Sequence, residues 1–149
     1  MTNSVVADST CLIGLERIEH LDILPALFEP ILIPPAVQQE FGISLPWLQV
    51  EVPTDQGMVV ALKMLVDRGE AEAIALAYQR KLQMILDDRQ ARSVARNMGV
   101  SFIGTVGVLV KAKQAALIPA LKPLLDELEL NGFYLNEALK AEAIDIVGE

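Results

Sequence analysis

Acidic side chains at four of the places where they occur along the chain form a pattern that is typical of metal-dependent hydrolysis. They are Asp8, Glu40, Glu70 with Glu72, and Asp87 with Asp88. Carboxylate oxygens are the ligands that Mg²⁺ or Mn²⁺ prefers, usually together with several waters. Such an ion can activate a water and stabilise the leaving oxygen when a phosphodiester bond is hydrolysed. The acidic residues therefore indicate a phosphodiester-cleaving site, provided that the fold brings them together.

Other kinds of catalytic site are poorly supported. Cys11 is the single cysteine and His20 the single histidine, so the chain has no disulfide framework and no cysteine-based zinc site. A Ser–His–Asp relay is disfavoured for the same reason, and no G-x-S-x-G turn is present. The glycine-rich signatures of the usual nucleotide-binding folds are also missing. The chemistry must run on carboxylates.

Length and charge limit the class of protein and its partners. The chain has 149 residues, 52% of them hydrophobic, and a net charge of −8. We expect one domain over residues 1–149 with a substantial core. An acidic chain has no global field that attracts a polyanion, so any contact with nucleic acid must be local or metal-assisted. The first ten residues lack a signal-peptide pattern and no apolar run spans a bilayer, which predicts a cytoplasmic location and no membrane.

Short apolar runs that alternate with helical patterns must position these carboxylates. Strands are predicted at 4–7, 31–33, 84–86 and 100–103, with an edge strand at 50–52. Helices are predicted to begin at 8–10 and to cover 22–27, 35–41, 58–66, 70–80, 89–97, 105–114, 121–130 and 136–143, with a tail at 144–148. Parallel strands need helical crossovers. The sequence therefore predicts an α/β fold, a three-layer α/β/α sandwich with a central parallel sheet of about four to five strands.

The predicted strands place the acidic residues near one edge of the sheet. Functional groups of open α/β sheets gather beyond the carboxyl ends of the strands. Asp8 follows the first strand, Asp87-Asp88 follows the third, and Glu40 lies in the helix after the second. Glu70 and Glu72 open the helix that leads into the third strand. Each residue also has a structural interpretation as a helix cap, a dipole partner or a surface residue. The joint placement of the four segments is more informative than any single residue, because none of those interpretations requires the segments to converge.

Three arginines follow the last acidic pair at helical spacing. Arg89, Arg92 and Arg96 lie at i, i+3 and i+7 of one predicted helix. The stripe could hold RNA phosphates beside the metal through bidentate contacts, or it could be a solvated helix face paired with nearby aspartates.

Five stretches carry a resemblance to a known family. They are VVADSTCLIGL, IPPAVQQEF, DRGEAEAIALA, ILDDRQAR and GVSFIGTVGVLVKAKQAALIP. Their order and spacing resemble the PIN domain superfamily, and more narrowly the small prokaryotic PIN-like proteins related to VapC toxins. The resemblance runs from about residue 4 to the C-terminus and includes the segment GFYLNEAL.

The resemblance implies a metal-dependent endoribonuclease and a set of site residues. Asp8 and Glu40 match the acidic positions after the first strand and in the helix after the second, and Ser9 matches the small hydroxyl residue beside Asp8. Glu72 best matches the third acidic position, where many relatives have Asp, and Glu70 is the competing assignment. The fourth position falls on Asp88 or Asp87. In toxin relatives a small antitoxin covers the site, and relatives often form homodimers, so a homodimer is expected.

Two other functions stay open at this point. A degenerate PIN-fold module could bind a partner without cleaving it, which the acidic balance and the glutamate at the third position favour. A phospho-acceptor switch also gathers aspartates at strand ends, but the first strand here ends in a single aspartate, Asp8. The nuclease is the preferred hypothesis.

Overall fold

Five parallel strands form the centre of the molecule in the computed structural model, which describes residues 3–149. The prediction that the chain has no signal peptide rests on the first ten residues. Two of these, Met1 and Thr2, lie outside the described residues. The strands are β1 (Asn3–Ala7), β2 (Phe28–Ile33), β3 (Leu48–Val50), β4 (Gln83–Ile85) and β5 (Phe102–Ile103). Their order in the sheet is β3-β2-β1-β4-β5.

The central strand is buried on both faces. Val5, Val6 and Ala7 of β1 have no exposed surface, as expected for a parallel strand that is covered by helices on either side. Val5 pairs with Ile31 of β2 on one side and with Gln83 of β4 on the other. The order of the strands reverses beside β1, which is where open α/β sheets leave a crevice. The carboxyl ends of β1 and β4 therefore meet at this crevice.

Nine helices connect and cover the strands within residues 3–149. They are α1 (Ser9–Arg17), α2 (Ile23–Leu27), α3 (Pro35–Phe41), α4 (Gln56–Leu62), α5 (Arg68–Arg80), α6 (Arg89–Asn97), α7 (Thr105–Gln114), α8 (Lys122–Leu130) and α9 (Glu137–Ile146). The predicted α/β/α sandwich with a parallel sheet is confirmed. In this part of the chain, no helix is both long enough and apolar enough to cross a membrane.

Some predicted boundaries differ from the structure. The helix predicted at 58–66 is Gln56–Leu62, because the Asp55 side chain accepts a hydrogen bond from the Met58 N–H and starts the helix earlier. The edge strand predicted at 50–52 is Leu48–Val50. The prediction of a tail at 144–148 is wrong, since α9 continues to Ile146. Ala143 is buried and Val147 packs on the core four residues later, which extends the apolar face of this helix.

A buried glutamate joins α5 to α3. Glu72 is 8% exposed, and its Oε1 accepts a hydrogen bond from the backbone N–H of Ala36 at 3.0 Å. Its Oε2 accepts one from Nε of Arg68 at 3.1 Å. Ala36 lies in the first turn of α3, where backbone N–H groups have no partner within the helix. Glu72 therefore caps α3 from the neighbouring helix.

Replacement of this cap tests its structural role. We expect Glu72→Ala to lower the free energy of unfolding by about 1–3 kcal/mol, because the buried N–H of Ala36 loses its acceptor. Glu72→Gln keeps an amide oxygen for that N–H and should lose clearly less. Urea denaturation at neutral pH measures both variants. Equal stability of Glu72→Ala and the wild type would contradict this role.

Candidate active site

A cleft of about 680 Å³ opens at the carboxyl ends of β1 and β4. Its acidic wall consists of Asp67, Glu70, Asp87 and Asp88. The lining also includes residues 131–134, which follow α8. The crevice that the sheet topology predicts is therefore lined by carboxylates.

Asp8 is buried at the start of α1, directly after β1. It occupies the N-cap position, yet its side chain makes no capping hydrogen bond, and the residue is 3% exposed. The pKa of Asp8 is raised to about 8, mainly by burial and also by the charges of Glu70, Asp67 and Glu40, while the backbone N–H of Ser9 acts in the opposite direction. The capping interpretation therefore does not account for this side chain.

Glu70 and Asp67 form a capping box at the start of α5. The backbone N–H of Glu70 donates to Asp67 Oδ1 at 2.8 Å, and the backbone N–H of Asp67 donates to Glu70 Oε1 at 3.3 Å. Burial raises the pKa of Glu70 to about 7, with contributions from the charges of Asp67, Asp88 and Glu40. Sequence reasoning missed Asp67, although the D-x-x-E spacing before an apolar run is the signal of a capping box.

Glu40 reaches the same region from α3 because residue 69 is a glycine. A Cβ atom at Gly69 would overlap Oε1 of Glu40 and stand 3.2 Å from its Cδ. The hydroxyl of Ser9 lies 3.5 Å from the same Oε1 and donates to it. Partial burial raises the pKa of Glu40, and Asp67 and Glu72 add to the increase while the Ser9 hydroxyl lowers it. Glu40 therefore lies against the N-terminal turn of α5, where the helix dipole favours a negative charge.

The two aspartates after β4 have different surroundings. Both oxygens of Asp87 accept hydrogen bonds from Thr105, one from its backbone N–H at 2.9 Å and one from its hydroxyl at 2.6 Å. Asp88 is exposed, and its Oδ2 accepts a hydrogen bond from the backbone N–H of Ala91 at 2.8 Å. Asp87 thus joins the end of β4 to the start of α7, and Asp88 caps α6 at the edge of the cleft.

The structure places Glu70, and not Glu72, in the lining of the cleft. Both oxygens of Glu72 are engaged by Ala36 and Arg68, and Glu72 lines a separate depression with Pro35. Glu70 lines the cleft and its charge acts on Asp8. The assignment of roles to Glu70 and Glu72 stays a prediction, but the placement favours Glu70.

The three arginines of the predicted stripe have different surroundings. Arg89 lines the cleft, whereas Nε of Arg92 donates to the carbonyl of Leu86 at 2.7 Å. The guanidinium groups of Arg92 and Arg96 lie 5.2 Å and 5.4 Å from the centre of the Phe102 ring. Arg17, which sequence reasoning missed, is a second arginine at the cleft. The helical spacing alone contained no signal of the Phe102 contact.

The chemistry of these side chains fits a divalent cation. Every donor is an oxygen, and Asp8, Glu40, Glu70 and Asp88 form no ion pair with a lysine or arginine of residues 3–149. As these residues are placed, no three Asp, Glu, His or Cys side chains of residues 3–149 stand close enough to hold one ion. The donor type and the charge therefore fit Mg²⁺ or Mn²⁺, and a site with three protein carboxylates as ligands requires a different placement of these side chains.

Comparison with known proteins decides the family. The family model described as a PIN domain matches residues 4–149. The chain belongs to the PIN domain family. No curated protein and no solved structure matches it. This match confirms the resemblance to the PIN domain superfamily, whose members are usually nucleases. The narrower relation to VapC toxins stays a prediction.

The raised pKa of Asp8 predicts how the stability of this PIN domain depends on pH without metal. The folded state keeps a proton on Asp8 up to a pH of about 8, whereas the unfolded chain loses it near 3.8. Between these values the folded state binds more protons, so the free energy of unfolding falls as the pH rises. Asp8→Asn removes this contribution. We expect the variant to be more stable than the wild type at about pH 8 by a few kcal/mol, with a smaller difference at about pH 5.5.

Urea denaturation in EDTA at these two pH values measures the effect. The pKa of Glu70 is also raised, to about 7, so Glu70 also makes the free energy of unfolding fall as the pH rises. The free energy of unfolding of the variant therefore still depends on pH, but less steeply than that of the wild type. Wild type and Asp8→Asn with the same pH dependence would contradict the prediction.

Proposed function

We propose that this PIN domain is a metal-dependent endoribonuclease that hydrolyses RNA phosphodiester bonds with Mg²⁺ or Mn²⁺. The observation that carries the proposal is the buried carboxylate of Asp8, which lies among acidic side chains and has no cationic partner from residues 3–149. Such an arrangement is costly for the chain alone, and a bound cation would offset the cost. Membership in a family of nucleases supports the same conclusion.

Four residues are the proposed ligands. They are Asp8, Glu40, Glu70 and Asp88. The ion would supply a water of lowered pKa and a positive charge near the leaving oxygen. The other residues hold these four in place: the Ser9 hydroxyl orients Glu40, and the bonds from Thr105 to Asp87 fix the chain just before Asp88. Arg89 and Arg17 are the cations at the cleft that can contact RNA phosphates.

A binding module without catalysis is the second candidate. It is favoured by the finding that no three acidic, His or Cys side chains of residues 3–149 meet closely enough to hold an ion as they are placed. The cleavage assay described next separates the two candidates. The toxin role, a small antitoxin partner, the homodimer and the cytoplasmic location stay predictions that rest on the resemblance and the composition.

The two glutamates of α5 provide a matched test of the nuclease. With Mn²⁺ or Mg²⁺ and a defined structured RNA, we expect cleavage by the wild type that EDTA abolishes. Glu70→Gln should reduce the rate more than about tenfold, because an uncharged amide is a poor ligand for a hard cation. Glu72→Gln should keep most of the activity, since its amide oxygen still caps α3. Gel analysis of time courses gives the rates.

Asp8→Asn is the control for contaminating nucleases and should be inactive. Loss of activity in Glu72→Gln but not in Glu70→Gln would reverse the assignment of the third ligand. If the wild type cleaves no RNA with either metal, while calorimetry detects no Mn²⁺ binding, the nuclease proposal fails and the binding module takes its place.

Gly69 tests the position of Glu40 without a change in any ligand. We expect Gly69→Ala to displace the Glu40 carboxylate and to weaken Mn²⁺ binding about tenfold. Gly57→Ala is the matched control, because Gly57 also occupies the second position of a helix after an aspartate N-cap and a Cβ there meets only Asp55 Oδ1 at 3.4 Å. Both variants exchange glycine for a better helix former, so neither should be less stable than the wild type through helix propensity.

Calorimetric titration with Mn²⁺ compares the two variants at equal protein concentration. Equal Mn²⁺ affinity of Gly69→Ala and Gly57→Ala would show that contact with Gly69 does not position Glu40 for the ion.

A further inference from the structure

Part of the cleft lining comes from the turn after α8, residues 131–134. Gly132 has a φ of +89°, which favours glycine, and the chain turns back at this residue. The backbone N–H of Phe133 then donates to the carbonyl of Leu128 at 2.9 Å. Arg17 of α1 donates to the carbonyl of Asn131 at 3.4 Å. The turn is thus bound to both α8 and α1.

Side chains alternate after this turn, and only one of three points to solvent. Phe133 packs on α1, where a Cβ at Gly14 would stand 3.1 Å from its ring, and Leu135 is 6% exposed. Tyr134 between them is 84% exposed and lines the cleft. Aromatic residues make up 5% of the chain, yet two adjacent ones line this cleft. The backbone of Tyr134 is therefore fixed by its neighbours while its ring stays uncovered.

The acidic and the aromatic residues of the cleft lining suit different parts of a nucleotide. A nucleobase is planar and uncharged, so it can stack on an aromatic ring without repulsion from the carboxylates. Arg17 and Arg89 line the same cleft and can contact the phosphates of the same RNA segment. The cleft volume of about 680 Å³ lies in the range of small-molecule sites. It is far too small to enclose a duplex.

We propose that Tyr134 is a specificity-determining residue that stacks on an unpaired nucleobase of single-stranded RNA in the cleft. This inference rests on the proposed function and names a residue that would contact its RNA substrate. Bases within a duplex are stacked on each other and do not present a free face, so the contact selects single-stranded segments. Stacking tolerates all four bases, so selection is by strand state more than by sequence.

Binding of a short unstructured RNA oligonucleotide tests the proposal. Fluorescence anisotropy in Ca²⁺ measures affinity, and a gel confirms that the oligonucleotide stays intact. We expect Tyr134→Ala to weaken binding about 5- to 150-fold, the usual effect of removing one stacked aromatic side chain. Tyr134→Phe should retain the affinity of the wild type, because the ring is kept. Tyr78→Ala, which removes a half-exposed tyrosine of α5 outside the cleft, is the matched control and should have no effect.

The outcomes separate this proposal from the nuclease itself. Unchanged binding by Tyr134→Ala overturns the stacking contact, even if both proteins cleave RNA with Mn²⁺. Equal losses in Tyr134→Ala and Tyr134→Phe also overturn it, because they assign the contact to the hydroxyl. Tyrosine-dependent binding by a wild type that cleaves nothing supports the stacking contact and removes the nuclease. A wild type that prefers the matched duplex over the single strand overturns the proposed selection.

Discussion

Burial of an aspartate among other carboxylates is the constraint on which this structure depends. Asp8 is 3% exposed and its pKa is raised to about 8 by burial and by acidic neighbours. None of residues 3–149 supplies a lysine or arginine to neutralise it. The chain instead uses the first turns of helices, where free N–H groups and the dipole favour negative charge. Asp67 with Glu70, and Asp88, occupy such positions at the starts of α5 and α6.

The sheet and two helix contacts determine which carboxylates meet. The reversal of strand order beside β1 places the end of β4 next to Asp8. Glu40 arrives from α3, and Gly69 leaves space for its carboxylate. Glu72 holds α3 against α5 through the Ala36 N–H. Glu72, which best matched the third acidic position, therefore does not line the cleft. It acts on the site indirectly, because it fixes the helix that carries Glu40.

Local patterns in the sequence were sufficient for the sheet and the family, but not for the choice between neighbouring side chains. The runs VVA and ILI are apolar throughout, as buried parallel strands are, and both lie in strands. Glu70 and Glu72 are two positions apart, so they lie about 200° apart around the helix. The sequence shows that they face different sides, but only the packing of α5 on α3 shows which side meets the cleft. Likewise, Arg92 and Arg96 of α6 contact the ring of Phe102, which belongs to β5, and the spacing of the arginines does not predict this contact.

An acidic chain that handles RNA must obtain affinity without a basic surface. The net charge is −8, and Arg17 and Arg89 are the only lysine or arginine residues among those that line the cleft in the described part of the chain. Under the proposed function, a cation on the carboxylate wall would neutralise the reacting phosphate, and Tyr134 would hold a base through an uncharged contact. Few phosphates are then neutralised by protein side chains, so affinity would depend only weakly on salt. Long duplexes, whose recognition relies on many phosphate contacts, would gain little from such a cleft. The acidic composition and the single exposed ring at the cleft therefore favour the same substrate, a short unpaired segment.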